Sequence, residues 1–389
     1  MADSKLQLCL IGLGNAGCQA IDLAKKRGHQ VFAINSSEKD LSDSLVDRTI
    51  PSFLIGNKRG AGKNRSTAKA FLKTELVRMF SDDGFKEVVD PADVVLVTGS
   101  TAGGTGSGAG PMLTNRIQAQ YPNKVVLFFG VLPKHSESAQ AQFNAVECLN
   151  ELTSPSLNMT YLLADLHSME NIPNDVAFQK TAEYIVDSAD IIRGDYMTKS
   201  PYGMIDESDL LTILSSPGYM TIYHKTGITP TQMEAESAQS ILISTIKNSS
   251  CAPITGDKVV RNVGVILNTI DNETDPCRAG DYSELEAYIG KPLATFTNYA
   301  VTKSPKADIA LILSGLNKPI SRINDCTEIA KQCQALFQDR DTGSVQDELS
   351  ELSSIKEIRS TLHKDRILGI STAKSTESVA DGIPDIFDA

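Results

Sequence analysis

This chain of 389 residues lacks several residue types and sequence patterns, and some of these absences exclude whole classes of protein. There is no tryptophan, and no apolar run is long enough to cross a bilayer. The N-terminus, MADSKLQLCL, leads into a strand pattern and does not resemble a signal peptide. We therefore expect a cytoplasmic protein without a membrane partner.

Cysteine usage and charge narrow the choice further. The seven cysteines include no CxxC pair and no Cys/His cluster, which indicates a reducing compartment and predicts no structural metal site. Acidic residues outnumber basic ones by 48 to 37, giving a net charge of -11. This balance disfavours direct nucleic-acid binding by the whole surface. The length allows about two domains.

The glycine-rich stretch STAGGTGSGAGP at residues 100–111 is the most informative part of the chain. It follows the continuous apolar run 93–99, typical of a buried parallel strand. It precedes a helical pattern at 109–120, with Pro111 near the predicted helix start. A strand, glycine turn and helix direct backbone N–H groups at a phosphate, and a flexible linker is not framed in this way. The stretch therefore predicts a phosphate-binding loop.

A second glycine motif follows the first predicted strand, residues 5–11. Gly12, Gly14 and Gly17 satisfy GxGxxG, which is also the dinucleotide-binding fingerprint. That fingerprint requires an acidic residue at the end of the second strand, but the strand predicted at 30–34 ends in Asn35-Ser-Ser. A dehydrogenase is therefore disfavoured.

A basic glycine loop, Gly60-Ala-Gly-Lys-Asn-Arg65, leads into a helix predicted at 66–80. It nearly matches a P-loop, but the spacing fails and Asn64 stands where a Ser or Thr would bind magnesium. Either the loop closes over phosphates, with Lys63 or Arg65 supplying charge, or it is a solvated basic turn. The sequence leaves both interpretations open.

Strands and helices alternate up to residue 193, which predicts an α/β doubly wound parallel sheet. Beyond the central helix predicted at 175–193, the pattern favours a smaller mixed α/β C-terminal domain and then a helical C-terminal extension. The predicted units are 1–173 (nucleotide-binding), 174–216 (central helix and catalytic loop), 217–318 (C-terminal α/β), 319–371 (helical extension) and 372–389 (flexible acidic tail).

A short acidic loop, residues 203–209, opens the next predicted helix. Asp206 or Ser208 could serve as a helix N-cap, with Asp209 favoured in the first turn by the helix dipole. Taken alone, this segment favours a capping role.

Together, these motifs resemble the tubulin/FtsZ superfamily. GGTGSG at 103–108 resembles the tubulin signature, and the other motifs follow in family order. They are residues 12–19, 35–37 and 60–65 for the first three nucleotide loops, and 203–209, with its DxxD core, for the loop that reaches into the next subunit. Within the superfamily the chain is most similar to TubZ-type proteins of plasmids and phages, through NSSEKDL at 35–41, GxGKxR at 60–65, VLPK at 131–134 and YLL at 161–163.

The resemblance implies roles for individual residues. The α- and β-phosphates would be held by Gly14, Asn15, Ala16, Gly17 and Cys18, and the β- and γ-phosphates by Ala102, Gly103, Gly104, Thr105 and Gly106. Asn35 and Gly62 belong to the second and third loops, and Lys63 would approach the γ-phosphate. Gln19 would face guanine, Glu137 the ribose, and Asp165 would read guanine in place of the Asn that the family pattern has there.

The activity implied is GTP hydrolysis, with GTP/GDP and Mg²⁺ as cofactors. Asp206 and Asp209 would be the hydrolytic carboxylates, supplied in trans to a neighbouring subunit in a head-to-tail filament. The implied task is segregation or positioning of plasmid or phage DNA through a DNA-bound adaptor protein, which the C-terminal region would contact. The alternatives are an FtsZ-like cytoskeletal protein for division or cell shape, and a nucleotide-binding filament protein with vestigial hydrolysis.

Overall fold

The computed structural model describes residues 5–254, 259–270 and 275–340, with side chains through residue 332. Its strands form one ten-stranded sheet in the order β3-β2-β1-β4-β5-β6-β7-β10-β8-β9. The strands are β1 (Leu8–Leu13), β2 (Gln30–Asn35), β3 (Ser52–Leu54), β4 (Val94–Ser100), β5 (Val125–Leu132), β6 (Thr160–Asp165), β7 (Gly218–Ile228), β8 (Asn262–Thr269), β9 (Ala294–Val301) and β10 (Ala307–Leu316).

Helices cover both faces of this sheet. They are α1 (Gly14–Lys26), α2 (Glu38–Ser44), α3 (Arg65–Phe80), α4 (Asp83–Val89), α5 (Gly104–Gln120), α6 (Ala139–Leu152), α7 (Asn174–Arg193), α8 (Glu207–Leu214), α9 (Pro230–Ala235), α10 (Ala238–Lys247), α11 (Ser283–Ile289) and α12 (Ile320–Arg340). Among the described residues, none of these helices combines the length and apolar character needed to span a membrane.

The N-terminal half is the predicted doubly wound parallel sheet. Strands β3, β2, β1, β4, β5 and β6 are all paired in parallel. Every residue of β1 is buried, because helices cover both faces of the sheet. The carboxyl ends of β1 and β4 are adjacent, with Leu13 opposite Gly99. Two of the glycine loops therefore begin side by side.

The C-terminal half continues the same sheet. Strands β6 and β7 share only two pairs, Thr160 with Gly218 and Tyr161 with Tyr219. Beyond them β7, β10 and β8 are antiparallel, and β9 runs parallel to β8. The mixed α/β character predicted for this half is confirmed, and the domain boundaries stay predictions.

Two element boundaries differ from those predicted. Helix α5 begins at Gly104 rather than at residue 109, so that Pro111 lies inside the helix. The sequence pattern of residues 232–247 predicts one helix, but the structure divides this region into α9 and α10, because Ser237 has extended backbone geometry and caps α10. The extension beyond residue 340 and the tail 372–389 lie outside the described residues.

Candidate functional site

Two helices begin at the same edge of the sheet without a side-chain cap. Helix α1 starts after β1 and α5 starts after β4, and neither has a capping hydrogen bond or an acidic residue in its first turn. By contrast, Ser, Thr, Asn or Asp side chains cap α2, α3, α4, α6, α8, α9 and α10. The first N–H groups of α1 and α5, and the positive ends of their dipoles, are thus available to an anion.

The glycines of these two loops allow very close packing. A Cβ on Gly17 would clash with the carbonyl oxygen of Thr98, and one on Gly106 would lie 2.6 Å from the carbonyl oxygen of Ser100. Gly14 has a φ of +67°, which favours glycine, and its side-chain position faces Thr105. The predicted phosphate loops therefore form one continuous backbone surface.

The Asn35-Ser-Ser segment closes one side of this surface. The Ser36 hydroxyl lies 2.8 Å from the Thr105 hydroxyl. Asn35 is buried, and its Oδ1 accepts from the N–H groups of Ser36 and Ser37 at 2.8 and 3.2 Å. Its Nδ2 is buried without a hydrogen-bond partner. Such an orphaned donor is costly unless a ligand supplies the acceptor, so the site fits a polar ligand.

The basic loop 60–64 packs over the start of α5. A Cβ on Gly104 would lie 3.0 Å from the backbone nitrogen of Asn64. Asn144 of α6 holds the two segments together, since its Nδ2 donates to the carbonyls of Lys63 and Ala102 at 2.9 Å each. No sequence motif marked Asn144, because an amide within a helix carries no local signal for this role.

The side chains of Lys63 and Arg65, the two basic residues at this place, lie in different surroundings. Lys63 is exposed, has a left-handed φ of 59°, and forms no ion pair with another described residue. Arg65 is buried, and its Nη2 donates to the carbonyl oxygen of Ser107 at 3.0 Å and lies 3.0 Å from Glu151 Oε2. Of the two candidates for supplying charge to phosphates, only Lys63 has a solvent-accessible cationic group.

The residues predicted to contact base and ribose lie around the same strand ends. Gln19 and Asn15 are exposed on the first turns of α1, and Gln19 Nε2 donates to Asn15 Oδ1 at 3.3 Å. Glu137 is half-buried before α6, and its Oε1 accepts from the Lys134 N–H at 3.0 Å. The remaining predicted residues on these loops are Ala16 and Gly103, which are half-buried, Cys18 and Ala102, which are buried, and Gly62, which is exposed.

Asp165 has a different partner from the predicted guanine. Its carboxylate is buried at the end of β6, and its oxygens lie 3.0 and 2.9 Å from Nε of Arg322. Oδ1 also accepts from the N–H of His167 at 3.1 Å. The geometry corrects the expectation for Asp165, because a buried carboxylate already engaged by an arginine is unavailable to a base. Arg322, 157 residues away in the chain, had no detectable sequence signal.

Asp206 and Asp209 form a reciprocal capping box at the start of α8. Asp206 Oδ1 accepts from the Asp209 N–H at 2.8 Å, and Asp209 Oδ2 accepts from the Asp206 N–H at 3.2 Å. The first of these bonds, together with one from Ser208, lowers the pKa of Asp206. Asp206 is exposed and Asp209 half-buried, so the carboxylates remain accessible while they cap the helix.

These carboxylates lie far from the glycine loops of the same chain. Helix α7 has 20 residues and is therefore about 30 Å long. Its far end reaches the opposite edge of the sheet, where Asp190 contacts His29 before β2 at 2.7 Å and Asp195 pairs with Lys5 before β1 at 2.7 Å. The loop that carries Asp206 follows this far end.

No group of His, Cys, Asp or Glu side chains in the described part of the chain is arranged to hold a metal ion.

Comparisons with known proteins agree with this fold. Residues 7–163 match the family model described as Tubulin/FtsZ family, GTPase domain. The tubulin-like protein TubZ of Clostridium botulinum C phage is 25% identical over 308 residues, which is 77% of each chain. Cell division protein FtsZ 1 of Archaeoglobus fulgidus is 26% identical over 242 residues, 61% of this chain and 62% of that protein.

Solved structures show the same fold. The crystal structure of Clostridium botulinum phage c-st TubZ has a TM-score of 0.66 at 21% identity, covering 86% of this chain and 100% of that one. A GTPγS-bound protofilament of CetZ2 from Haloferax volcanii has a TM-score of 0.67 at 17% identity, covering 87% and 100%. Residues 7–163 of this chain, with their glycine loops and uncapped helices, therefore belong to the Tubulin/FtsZ family as its GTPase domain.

Proposed function

We propose that this protein binds GTP and hydrolyses it to GDP. The observation that carries the proposal is the pair of uncapped helices, α1 and α5, that start side by side beside the orphaned Nδ2 of Asn35. The backbone of residues 14–18 would hold the α- and β-phosphates, and that of residues 102–106 the β- and γ-phosphates. Lys63 would place its ammonium near the γ-phosphate.

Catalysis would come from positioning and charge stabilisation. Bound Mg²⁺ would offset negative charge on the transferring phosphoryl group. Gln19 would face the guanine and Glu137 the ribose, whereas Asp165 has no part in the proposal. The accessible carboxylates of Asp206 and Asp209 would orient the attacking water.

Hydrolysis would require two subunits. Asp206 and Asp209 follow the far end of a helix about 30 Å long, beyond reach of the phosphate loops of their own chain. Head-to-tail stacking would bring them to the nucleotide of the neighbouring subunit. Such heterologous contacts, when they do not close into a ring, produce filaments. The relative CetZ2 is itself described as a protofilament.

The proposed task is segregation or positioning of plasmid or phage DNA in the cytoplasm. The likeness to a phage TubZ over 77% of the chain supports it. The acidic net charge of -11 is consistent with contact through a DNA-bound adaptor at the C-terminal region rather than with DNA itself. An FtsZ-like role in division or cell shape is the second candidate, supported by the likeness to FtsZ 1.

The test is GTP turnover per subunit, measured against protein concentration with Mg²⁺ and paired with pelleting. We expect negligible turnover below a threshold and a rise in parallel with pelletable polymer. Asp209→Asn should abolish turnover and preserve polymer, while Glu207→Gln, in the same helical turn, should leave both unchanged. Polymer with no turnover in the wild type would indicate vestigial hydrolysis. Turnover that is independent of concentration would contradict a shared site.

Base preference needs a separate measurement, since no described side-chain contact in the site selects guanine over adenine. Competition of GTP and ATP against a fluorescent GTP analogue should favour GTP. Gln19→Ala should narrow the difference between the two nucleotides, whereas Gln118→Ala, on the opposite end of α5, should not.

A further inference from the structure

Helix α5 contains a proline in its interior, and this leaves one carbonyl without its usual donor. Pro111 has no N–H, so the carbonyl oxygen of Ser107, four residues earlier, lacks the hydrogen bond that the fourth residue onward normally donates in a helix. Ser107 is buried, which keeps water from replacing the lost donor. A buried carbonyl in this state costs free energy unless another group donates to it.

Arg65 supplies that donor. Its Nη2 lies 3.0 Å from the Ser107 carbonyl oxygen, and the same nitrogen lies 3.0 Å from Glu151 Oε2 on α6. Glu147 Oε2 lies 3.8 Å from Nη1. These carboxylates offset the cost of burying the guanidinium, whose planar fork can contact a carbonyl and a carboxylate together.

The backbone of Arg65 is fixed at the same place. It is the first residue of α3 and directly follows the loop that carries Lys63. A Cβ on Gly108 would clash with the Arg65 carbonyl oxygen, so the two helices touch here through their backbones. The Arg65 side chain therefore joins the basic loop to the same turns of α5 that present N–H groups to the phosphate surface.

We infer that Arg65 is a positioning residue that replaces the missing N–H of Pro111 and thereby fixes the basic loop against the phosphate-binding end of α5. The inference rests on the proposed function for its effect on nucleotide. Arg65 does not contact the phosphates in this role. It acts through the placement of Lys63 and of the first turns of α5.

A double-mutant cycle tests this, because Pro111→Ala restores an N–H that can donate to the Ser107 carbonyl. Arg65→Met, Pro111→Ala and the double variant are compared with the wild type in an otherwise unchanged chain. The same cycle is repeated with Glu151→Gln, because Arg65→Met otherwise removes Arg65 from the half-buried Glu151 carboxylate and leaves Lys69 beside it. The readouts are the dissociation constant of a fluorescent GTP analogue and urea unfolding without nucleotide.

We expect Arg65→Met to weaken binding of the GTP analogue at least tenfold when Pro111 is present, and by much less in the Pro111→Ala background. The unfolding cycle should show the same coupling, with Arg65→Met less destabilising when Pro111→Ala is also present. Equal effects in both backgrounds would overturn the inference. A wild type that binds no GTP while the unfolding cycle still shows coupling would instead overturn the proposed function.

Discussion

Gly17 occupies a position where even one additional carbon has no space. Its missing Cβ faces the Thr98 carbonyl oxygen, which is held in the parallel ladder between β1 and β4. Gly17→Ala should lower the free energy of unfolding by about 2–3 kcal/mol, since an overpacked backbone contact must shift. Gly103→Ala is the matched control, because nothing lies within 4 Å of its Cβ position and its φ is -80°. Urea unfolding without nucleotide measures both, and equal losses would contradict this steric account.

At the residue scale, the sequence predicted the glycine loops, because there the local pattern determines the backbone. Glycines after a strand have few alternative explanations, so loops 12–17 and 102–108 could be found from spacing alone. The contacts of Asn144 and the burial of the Arg65 side chain could not be predicted, because both depend on which helices become neighbours. For Asp165, the position at the end of a strand was predicted, but its partner Arg322, 157 residues away, had no sequence signal.

A buried ion pair joins the start of α12 to the carboxyl end of β6. Arg322 is 1% exposed, and its Nη2 also donates to the Pro133 carbonyl oxygen at 2.6 Å. Arg322→Met should destabilise the fold by about 3–5 kcal/mol, because it leaves Asp165 charged, buried and unpaired. Adding Asp165→Asn should recover part of that loss. Urea unfolding tests the series, with exposed Arg48→Met as a control expected within about 0.5 kcal/mol of wild type. A loss for Arg322→Met as small as that of the control would argue against the ion pair.

The segment between β5 and α6 is held by Glu170, and this contact predicts a pH dependence. Burial alone would raise the pKa of Glu170, but hydrogen bonds from Ser136 and from the His135 N–H outweigh it and lower the pKa from 4.5 to about 2. The contribution to stability is therefore complete above pH 4.5 and is lost as the pH falls towards 2. It is on the order of 2 kcal/mol after allowance for partial exposure.

Comparison with Glu170→Gln isolates this contribution. Urea unfolding from pH 7 to pH 3 should show a difference between wild type and variant that is constant down to about pH 5 and then shrinks. Glu137→Gln, a neighbouring carboxylate in the same segment, controls for general acid effects. A difference that does not change with pH would contradict the assigned hydrogen bonds.

At the element scale, the pattern of apolar residues predicted which helices and strands exist better than it predicted where they begin and end. Strands β1 and β4 are buried apolar runs, and the structure places each within a few residues of its predicted limits. The first turns of α5 were missed because four glycines and a proline argue against a helix by propensity. The packing of the glycines against neighbouring loops, and the Arg65 donor, outweigh that propensity.

The whole molecule separates the two parts of the proposed catalytic site. The order of strands and helices in the sequence was sufficient to predict a doubly wound sheet and a mixed second half. It did not show that all ten strands share one sheet, since the two pairs between β6 and β7 have no sequence signal. The sheet and the long helix α7 place the glycine loops at one edge of the sheet, and the far end of α7, which the Asp206 loop follows, at the opposite edge.

This separation predicts that two inactive variants can restore activity to each other. Lys63→Met should impair the nucleotide site, and Asp209→Asn should remove the carboxylate, so neither should turn over GTP alone. In a copolymer, an intact nucleotide site of the Asp209→Asn subunit can meet an intact Asp209 of the Lys63→Met subunit. Random mixing makes roughly one quarter of the interfaces productive.

Turnover is measured in mixtures at constant total protein, with pelleting to establish that both variants enter the polymer. We expect activity to be greatest near equal proportions and absent at either extreme, because productive interfaces need one subunit of each kind. Lys58→Gln in place of Lys63→Met is the control, since Lys58 lies in the same connection between β3 and α3 with a similar φ of 66° but should leave the nucleotide site intact. If each subunit instead contained a complete site, mixing would not raise turnover even when both variants pellet together. Neither variant then holds both an intact nucleotide site and an intact Asp209.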